Sequence, residues 1–268
     1  YITILNMSGR ICTMLGIFLL VKSPDDYILA AFLQACTPLI AGIFSIVWLR
    51  KRYTGLFKWP TIGEIINSYK EGWSIFVSSL AVNLYTATNV VVLGMLTNNV
   101  IVGYYSAADK LITCVRRGIY AVSDAIYPFI SKMMKDDISK GLQFIKKQIF
   151  LYLVVGLIGC TSLFFFSDTI VKLLFGADYN LTVDVLRILS FVPLAVAIST
   201  VFGEETMLPL NMNSAYSRTL VLAAFFSLLS IFPLCYLWGA KGVAMTMLLT
   251  EFLIMIIMGG LLRKQLFQ

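Results

Sequence analysis

Two adjacent arginines, Arg116 and Arg117, lie in the middle of an apolar stretch at residues 102–133 that is long enough to cross a membrane. A helix needs about 20 residues to cross a hydrocarbon core of about 30 Å. A charged side chain at the centre of such a span costs about 2.5–3.5 kcal/mol, so these residues usually face a water-filled cavity or an opposite charge. The pair therefore predicts a functional site on this segment.

The other charged residues of the segment share one face if it is helical. Lys110, Arg117 and Asp124 recur every seven residues, almost two turns, and Asp109 and Arg116 form the neighbouring stripe. The pattern predicts an anion-binding cavity formed by Arg116, Arg117 and Lys110, with Asp109 and Asp124 as ion-pair partners. The alternative is that both arginines extend to the lipid headgroups.

Five more polar residues occur within other apolar segments. Glu251 has no charged residue within two turns on its own segment, so it is either a proton-coupling site or a hydrogen-bonding group between packed helices. Ser79, Asn83 and Thr86 share one helical face that suits sugar hydroxyls or interhelical hydrogen bonds. Arg10 is a further substrate-binding candidate by the same reasoning as Arg116 and Arg117.

Two other groups of reactive side chains receive no chemical role. Glu204 and Glu205 follow an apolar segment and are assigned to a solvated loop. The cysteines lie in apolar runs without CxxC spacing and the chain has no His, so they are interpreted as small core residues: Cys12, Cys36, Cys114, Cys160 and Cys235. No metal and no cofactor is predicted.

The composition sets the fold class. Of 268 residues, 59% are hydrophobic and 13% charged, against about 25% charged in soluble domains. We predict an all-α integral membrane protein with about eight transmembrane helices. Their expected bounds are 4–21, 28–49, 72–97, 103–131, 147–167, 183–202, 218–238 and 243–262.

Charged loops suggest an orientation. Basic residues concentrate at 50–70 and 132–147, whereas the turn at 97–100 has none. Cytoplasmic loops of membrane proteins carry an excess of Lys and Arg, so both basic stretches are predicted to be cytoplasmic. The net charge of +7 then reports this bias, and no nucleic-acid partner is expected.

Two absences restrict the chemistry that the sequence can perform. It has no GxxxxGK[ST] phosphate loop and, without His, no His-dependent catalytic set. We therefore predict that the protein is not an enzyme and that any transport is secondary. The chain begins at Tyr1 in an apolar run, and we expect it to be a fragment lacking N-terminal helices.

Several longer runs resemble one family over essentially the whole chain. They are VKSPDDY from Val21, GWSIFVSSLAVNLYTATNVVVLGML from Gly72, VGYYSAADKL from Val102, LLFGADYNLTVDVLRILSFVPLAVAISTVFG from Leu173 and MLPL from Met207. The sequence resembles bacterial O-antigen flippases of the multidrug, oligosaccharidyl-lipid and polysaccharide exporter superfamily. The resemblance implies the C-terminal part of a two-bundle, 6+6 exporter. Residues 1–50 would be the last two helices of the N-terminal bundle, 51–70 a basic cytoplasmic linker and 71–268 a six-helix C-terminal bundle.

The resemblance also implies a function. Such a protein flips oligosaccharide on undecaprenyl pyrophosphate from the cytoplasmic to the periplasmic leaflet of the bacterial inner membrane, by alternating access through the cationic cavity. Its expected partners are the lipid-linked oligosaccharide, membrane lipids, and the O-antigen polymerase and ligase machinery. The alternatives are a polysaccharide or drug exporter of the same fold, a membrane glycan polymerase, and a membrane scaffold. A drug exporter would favour acids and aromatics in its cavity, and a polymerase would need a sizeable extracytoplasmic loop.

Overall fold

The computed structural model describes residues 2–23, 26–52, 60–176 and 178–267, and within these ranges it contains helices and no strand. This confirms the predicted all-α class. The described residues contain nine α-helices and one π-helical turn, in chain order: α1 (Ile2–Leu20), α2 (Tyr27–Arg52), α3 (Ile62–Leu96), α4 (Asn99–Asp136), α5 (Ile138–Phe175), α6 (Asn180–Leu189), α7 (Val192–Phe202), the π-helical turn (Gly203–Met207), α8 (Asn213–Trp238) and α9 (Ala240–Phe267).

Five helical stretches of the described residues have the length and apolarity of membrane spans. They are Ile75–Leu96, Ile138–Phe175, Asn180–Met207, Asn213–Trp238 and Ala240–Arg263. The chain is therefore a multi-pass membrane protein. The larger number of about eight spans stays a prediction.

Helix ends differ from the predicted ones where a capping side chain extends a helix. The predicted loop at 132–147 is wrong, because α4 and α5 are separated by Asp137 alone. The Asp137 carboxylate accepts hydrogen bonds from the backbone N–H groups of Ser139 (2.9 Å) and Lys140 (3.3 Å), which caps α5. These bonds hold the pKa of Asp137 below its ordinary value, and the bond from Lys140 has the largest effect.

A capping box likewise starts α3 ten residues earlier than the predicted residue 72. The backbone N–H of Thr61 donates to Glu64 Oε2 at 2.7 Å, and the N–H of Glu64 donates to Thr61 Oγ1 at 3.4 Å. Part of the predicted linker at 51–70 is therefore helical. Residues 53–59 of that linker lie outside the described part of the chain.

The helices group into two compact units, Tyr1–Asn67 and Ser68–Gln268. In the first unit, α1 packs against α2. The second unit contains α4 to α9 and most of α3, and it holds the main apolar core.

The centre of the second unit is α7, where every residue from Val192 to Val201 is buried. One apolar cluster packs around Tyr105, Ile112 and Leu186, and another packs around Tyr85 and Met258. Among the cysteines, Cys160 and Cys235 are buried as predicted. Cys114 is exposed and Cys36 half-buried, so the core interpretation is wrong for these two, and the side chain of Cys12 is not described.

The α8–α9 pair depends on a close helix approach. Gly239 ends α8 with a positive φ of 56°, a conformation that favours glycine. A β-carbon at Gly242 would collide with the carbonyl group of Leu234, so only glycine fits this crossing. The close packing fixes α9, and with it Glu251, against the rest of the unit.

Candidate functional site

A polar cavity of about 450 Å³ lies among the apolar helices of the second unit. Side chains of α3, α4, α7, α8, α9 and the π-helical turn line it. Its polar lining consists of hydroxyl, amide and carboxyl groups: Ser78, Ser79, Asn83, Tyr85, Tyr120, Ser123, Asp124, Tyr127, Ser199, Thr200, Glu204, Tyr216 and Glu251. A membrane-spanning bundle has no structural need for so many polar groups around one space, which makes this cavity the candidate site.

One wall of the cavity contains a buried ion pair between α4 and α9. Arg116 Nη2 lies 3.5 Å from Glu251 Oε1, and the two side chains are 10% and 4% exposed. The Tyr85 hydroxyl donates to the same oxygen at 3.1 Å, and Arg116 Nη2 lies 3.5 Å from the Tyr120 hydroxyl oxygen. The ion pair and the two tyrosines thus form one network joining α3, α4 and α9.

The network satisfies Glu251 better than Arg116. Glu251 Oε1 receives both the tyrosine and the guanidinium bond, whereas Arg116 Nε has no hydrogen-bond partner within the described part of the chain. A buried ion offsets its desolvation only when its remaining polar atoms are also paired. The guanidinium therefore keeps an unused donor that a ligand or a changed helix packing can engage.

A second buried carboxylate lies in the π-helical turn. Glu205 is fully buried, and its two oxygens accept hydrogen bonds of 2.6 Å each, from Ser123 Oγ of α4 and from Gln148 Nε2 of α5. Its neighbour Glu204 is half-buried and lines the cavity. The prediction of a solvated loop at these two positions is wrong, because the chain continues beyond Phe202 as a helical turn directed into the bundle.

Within the described residues, the charged groups that line the cavity are all acidic: Asp124, Glu204 and Glu251. No Lys or Arg of the described part of the chain is among its lining residues. Four tyrosines contribute aromatic faces and hydroxyl groups, which suit both sugars and aromatic cations. This lining differs from the cationic one predicted from the sequence.

The predicted substrate-binding residues are distributed over several places. Asn83 lines the cavity, and its amide donates to the Ser79 carbonyl oxygen at 2.8 Å. Arg117 and Lys110 are exposed on α4, and Lys110 lines a different cavity. Arg10 lies in α1, but its side chain is outside the part of the molecule that the structure describes.

The predicted coupling and ion-pair residues also separate. Glu251 pairs with Arg116. Asp124 lines the cavity, and among the described residues no ion pair joins it to Arg117. Asp109 is half-buried and lies two turns from Arg116 on α4, without a salt bridge in the described part of the chain.

Sequence reasoning missed Glu205, Gln148 and the two network tyrosines. A signal for Glu205 is present in the sequence, because apolar residues resume at Met207 and Leu208, one residue after the two acids. An acidic pair inside a continuing apolar run is more typical of a buried site than of a loop. Periodicity carries no comparable signal for Tyr85, which looks like any aromatic core residue.

The apolar helical spans, with a polar cavity between them, define the class of the chain as a multi-pass membrane protein. The model of the polysaccharide biosynthesis protein family matches residues 1–134, half of the chain. The chain therefore belongs to the polysaccharide biosynthesis protein family. No solved structure matches it.

Three relatives support the same assignment. A Shigella dysenteriae protein named "Putative O-antigen transporter" is 32% identical over 96% of this chain and 63% of its own length. An Escherichia coli K12 protein of the same name is 29% identical over 95% of the chain and 61% of its own length. The Haloferax volcanii "Probable low-salt glycan biosynthesis flippase Agl15" is 23% identical over 90% and 50%. The chain thus spans about three fifths of the first two relatives, and their names agree with the O-antigen flippase resemblance.

Proposed function

We propose that the chain is part of a transporter that flips a lipid-linked oligosaccharide across the bacterial inner membrane. The cargo is an O-antigen unit on undecaprenyl pyrophosphate, and it moves from the cytoplasmic to the periplasmic leaflet. The relatives' names support glycan transport as the class of activity. The observation that carries the proposal is the polar cavity inside an apolar bundle, because sugar hydroxyls need hydrogen-bonding groups that hydrocarbon lacks.

The lining suggests how the cargo is divided between binding groups. Asn83, the serines and the tyrosines offer donors and acceptors for sugar hydroxyls. Glu251 is paired with Arg116, but the carboxylates of Asp124 and Glu204 would repel a pyrophosphate. We therefore assign the anion to Arg117, an exposed cation two turns before Asp124 on α4. The saccharide then occupies the cavity while the charged headgroup remains beside it.

Arg116 could bind the anion only after its ion pair with Glu251 has opened. Glu251 neutralises the guanidinium in the present conformation. We propose that α4 shifts against α9 within the second unit during alternating access, and that this shift opens the pair. We propose that protonation of Glu251 favours the opened state and thereby couples a proton to transport.

Direction of transport needs a driving force, and a proton gradient or consumption of the flipped product can supply it. We propose the O-antigen polymerase and ligase machinery as the partners that consume it on the periplasmic side. We also propose that the protein is a carrier and not an enzyme, because the relatives are named as transporters and a flippase.

Genetic complementation tests the proposal. The full-length protein, expressed in a strain that lacks its own O-antigen flippase, should restore surface O-antigen seen as a ladder on lipopolysaccharide gels. The variant Asn83→Ala should weaken the ladder. Leu84→Ala, an exposed neighbour on α3 that does not line the cavity, is the matched control and should leave the ladder unchanged. Absence of any ladder with normally expressed wild-type protein contradicts the proposal.

A second candidate function is export of cationic aromatic compounds by the same fold. The acidic and tyrosine-rich lining of the cavity favours it. The same complemented strain distinguishes the two activities, because a drug exporter would raise resistance to a lipophilic cation such as ethidium without restoring O-antigen. Glu204→Gln should then abolish resistance, since it removes a cavity charge at constant volume.

A further inference from the structure

A second cavity, of about 430 Å³, lies where α4 begins and α5 ends. It is separate from the main cavity and shares none of its lining residues. Its principal lining residues are Gly103, Tyr104, Ser106, Lys110, Phe175 and Tyr179. The cavity therefore combines three aromatic rings, three hydroxyl groups and one cation.

The aromatic rings form a fixed cluster. The ring centroids of Tyr104 and Tyr179 lie 5.2 Å apart at 90°, and those of Phe175 and Tyr179 lie 5.5 Å apart in a stacked arrangement. Thr182 Oγ1 donates to the Tyr104 carbonyl oxygen at 3.0 Å, which ties α6 to α4 at this point. The cluster is thus held in place before any ligand arrives, and a preorganised surface binds at lower entropic cost.

The charge of Lys110 is available to a ligand. Two other lysines of this unit are neutralised, Lys172 by Asp168 at 2.8 Å and Lys241 by Asp184 at 2.7 Å. Lys110 is exposed and forms no ion pair with any residue that the structure describes. Gly103 adds room, because a β-carbon there would meet nothing within 4 Å.

We propose that this second cavity is a saccharide subsite, which holds one pyranose ring on the tyrosine and phenylalanine rings and an adjacent anion on Lys110. The C–H face of a pyranose packs on an aromatic ring, and tyrosine and serine hydroxyls bond its hydroxyl groups. The anion is a phosphate of the carrier or a carboxylate of an acidic sugar. This inference rests on the proposed glycan transport and adds a place where the cargo binds outside the main cavity.

The position along α4 gives the subsite its role. Lys110 and Asp124 lie on one stripe, 14 residues apart, which is about 21 Å along a helix. The two cavities therefore lie at different depths on the same helix face, with Arg117 between them. The predicted orientation places the start of α4 on the periplasmic side, so the subsite receives the glycan after it has left the main cavity.

Site-specific photo-crosslinking in cells tests the proposal. Benzoylphenylalanine is introduced into the full-length protein at Gly103 or Ser106 in the second cavity, at Ser79 in the main cavity, and at Leu173 as control. Leu173 is 81% exposed on α5 and lines neither cavity. The probe is the host's own tritiated lipid-linked oligosaccharide. We expect crosslinks at Gly103 or Ser106 and at Ser79, and none at Leu173.

The outcomes separate this inference from the function on which it rests. A crosslink at Ser79 but at neither position of the second cavity overturns the subsite and leaves glycan transport in place. Crosslinks at none of the positions contradict both. A crosslink at Leu173 as strong as at Gly103 shows non-specific contact with membrane-embedded lipid and also overturns the subsite.

Variants then assign the groups. Lys110→Ala combined with Tyr179→Ala should lower the crosslink at Gly103 about tenfold, the effect of losing about 1.4 kcal/mol of binding, while the crosslink at Ser79 persists. Lys172→Ala, a lysine outside the cavity, should change neither.

The anion is identified by comparing strains whose oligosaccharide repeats are neutral with strains whose repeats contain uronic acid. If Lys110→Ala weakens the Gly103 crosslink with both kinds of repeat, Lys110 binds the phosphate. If it weakens the crosslink only with the acidic repeat, Lys110 binds the sugar carboxylate. An undiminished Gly103 crosslink in the double variant overturns the assignment of these residues.

Discussion

Arg116 and Glu251 are 135 residues apart in sequence, yet their charged groups lie 3.5 Å apart in the interior of the second unit. The pair links the helix with the most charged polar face, α4, to the last helix, α9. It also borders the main cavity, since Glu251 is a lining residue. A change in the protonation of Glu251 would therefore act on the helix packing and on the cavity charge together.

The two charges of the ion pair stabilise each other, so the effects of removing them should not be additive. Arg116→Ala leaves a buried carboxylate with only Tyr85 as a partner, so we expect a loss of about 3–5 kcal/mol in the free energy of unfolding. Arg116→Ala with Glu251→Ala removes both charges and should lose clearly less than the sum of the single changes. Thermal unfolding in detergent measures this difference. Arg117→Ala, an exposed neighbour, is the control and should unfold within a degree or two of wild type.

Glu251→Gln tests the coupling proposal. Glutamine keeps the volume and the bond from Tyr85 but cannot release or take up a proton. In proteoliposomes of the full-length protein, this variant should lose substrate-driven proton flux while binding of the oligosaccharide remains nearly intact. Proton flux at the wild-type rate removes Glu251 from coupling.

The π-helical turn provides a contrast between two adjacent acids. Glu205→Ala leaves Ser123 and Gln148 without their buried acceptor, which costs about 1–3 kcal/mol for each unsatisfied group. Glu204→Gln only changes a cavity group and should leave the unfolding temperature unchanged while altering transport. If both variants unfold like the wild type, Glu205 is not a structural anchor.

Asp137 gives an expectation on pH. The backbone N–H groups of Lys140 and Ser139 depress its pKa in the folded state, so its contribution to stability is present above the unfolded pKa. That contribution is lost as the pH falls from the ordinary aspartate pKa of about 3.9 through the depressed folded pKa. The difference in unfolding temperature between wild type and Asp137→Ala should therefore be full at neutral pH and shrink below about pH 4. A difference that stays constant down to pH 2 contradicts the capping role.

The elements of the fold were predictable because hydrophobic runs of membrane-spanning length are a strong local signal. The segment containing Arg116 was predicted at 103–131, and the structure extends the helix to Asn99–Asp136. The helix is longer than predicted because Asn98 caps its start and Asp137 follows its end. A single capping residue gives no periodic signal in the sequence. The TIGE sequence at Thr61 is a capping box that periodicity alone overlooks.

The site was less predictable because its partners come from different helices. Periodicity placed Arg116 on a polar face correctly, but it could not identify Glu251 as its partner, since the pair depends on how α4 packs against α9. The same limit applies to Glu205, whose two donors lie on α4 and α5. The cavity was expected to be cationic because one helix contains two arginines. Its lining consists of side chains from five helices and one turn, which a single helix does not reveal.

Reconstituted flipping tests the proposed function most directly. The full-length protein is placed in liposomes with a fluorescent undecaprenyl-pyrophosphate oligosaccharide distributed over both leaflets, and a membrane-impermeant enzyme or quencher reports the outer one. The account predicts that the accessible fraction rises from about one half to nearly all of the probe. It also predicts that Arg117→Ala slows this rise while Lys146→Ala does not, because Lys146 is exposed and lines neither cavity. Wild-type protein that leaves the accessible fraction at the level of protein-free liposomes would contradict the account.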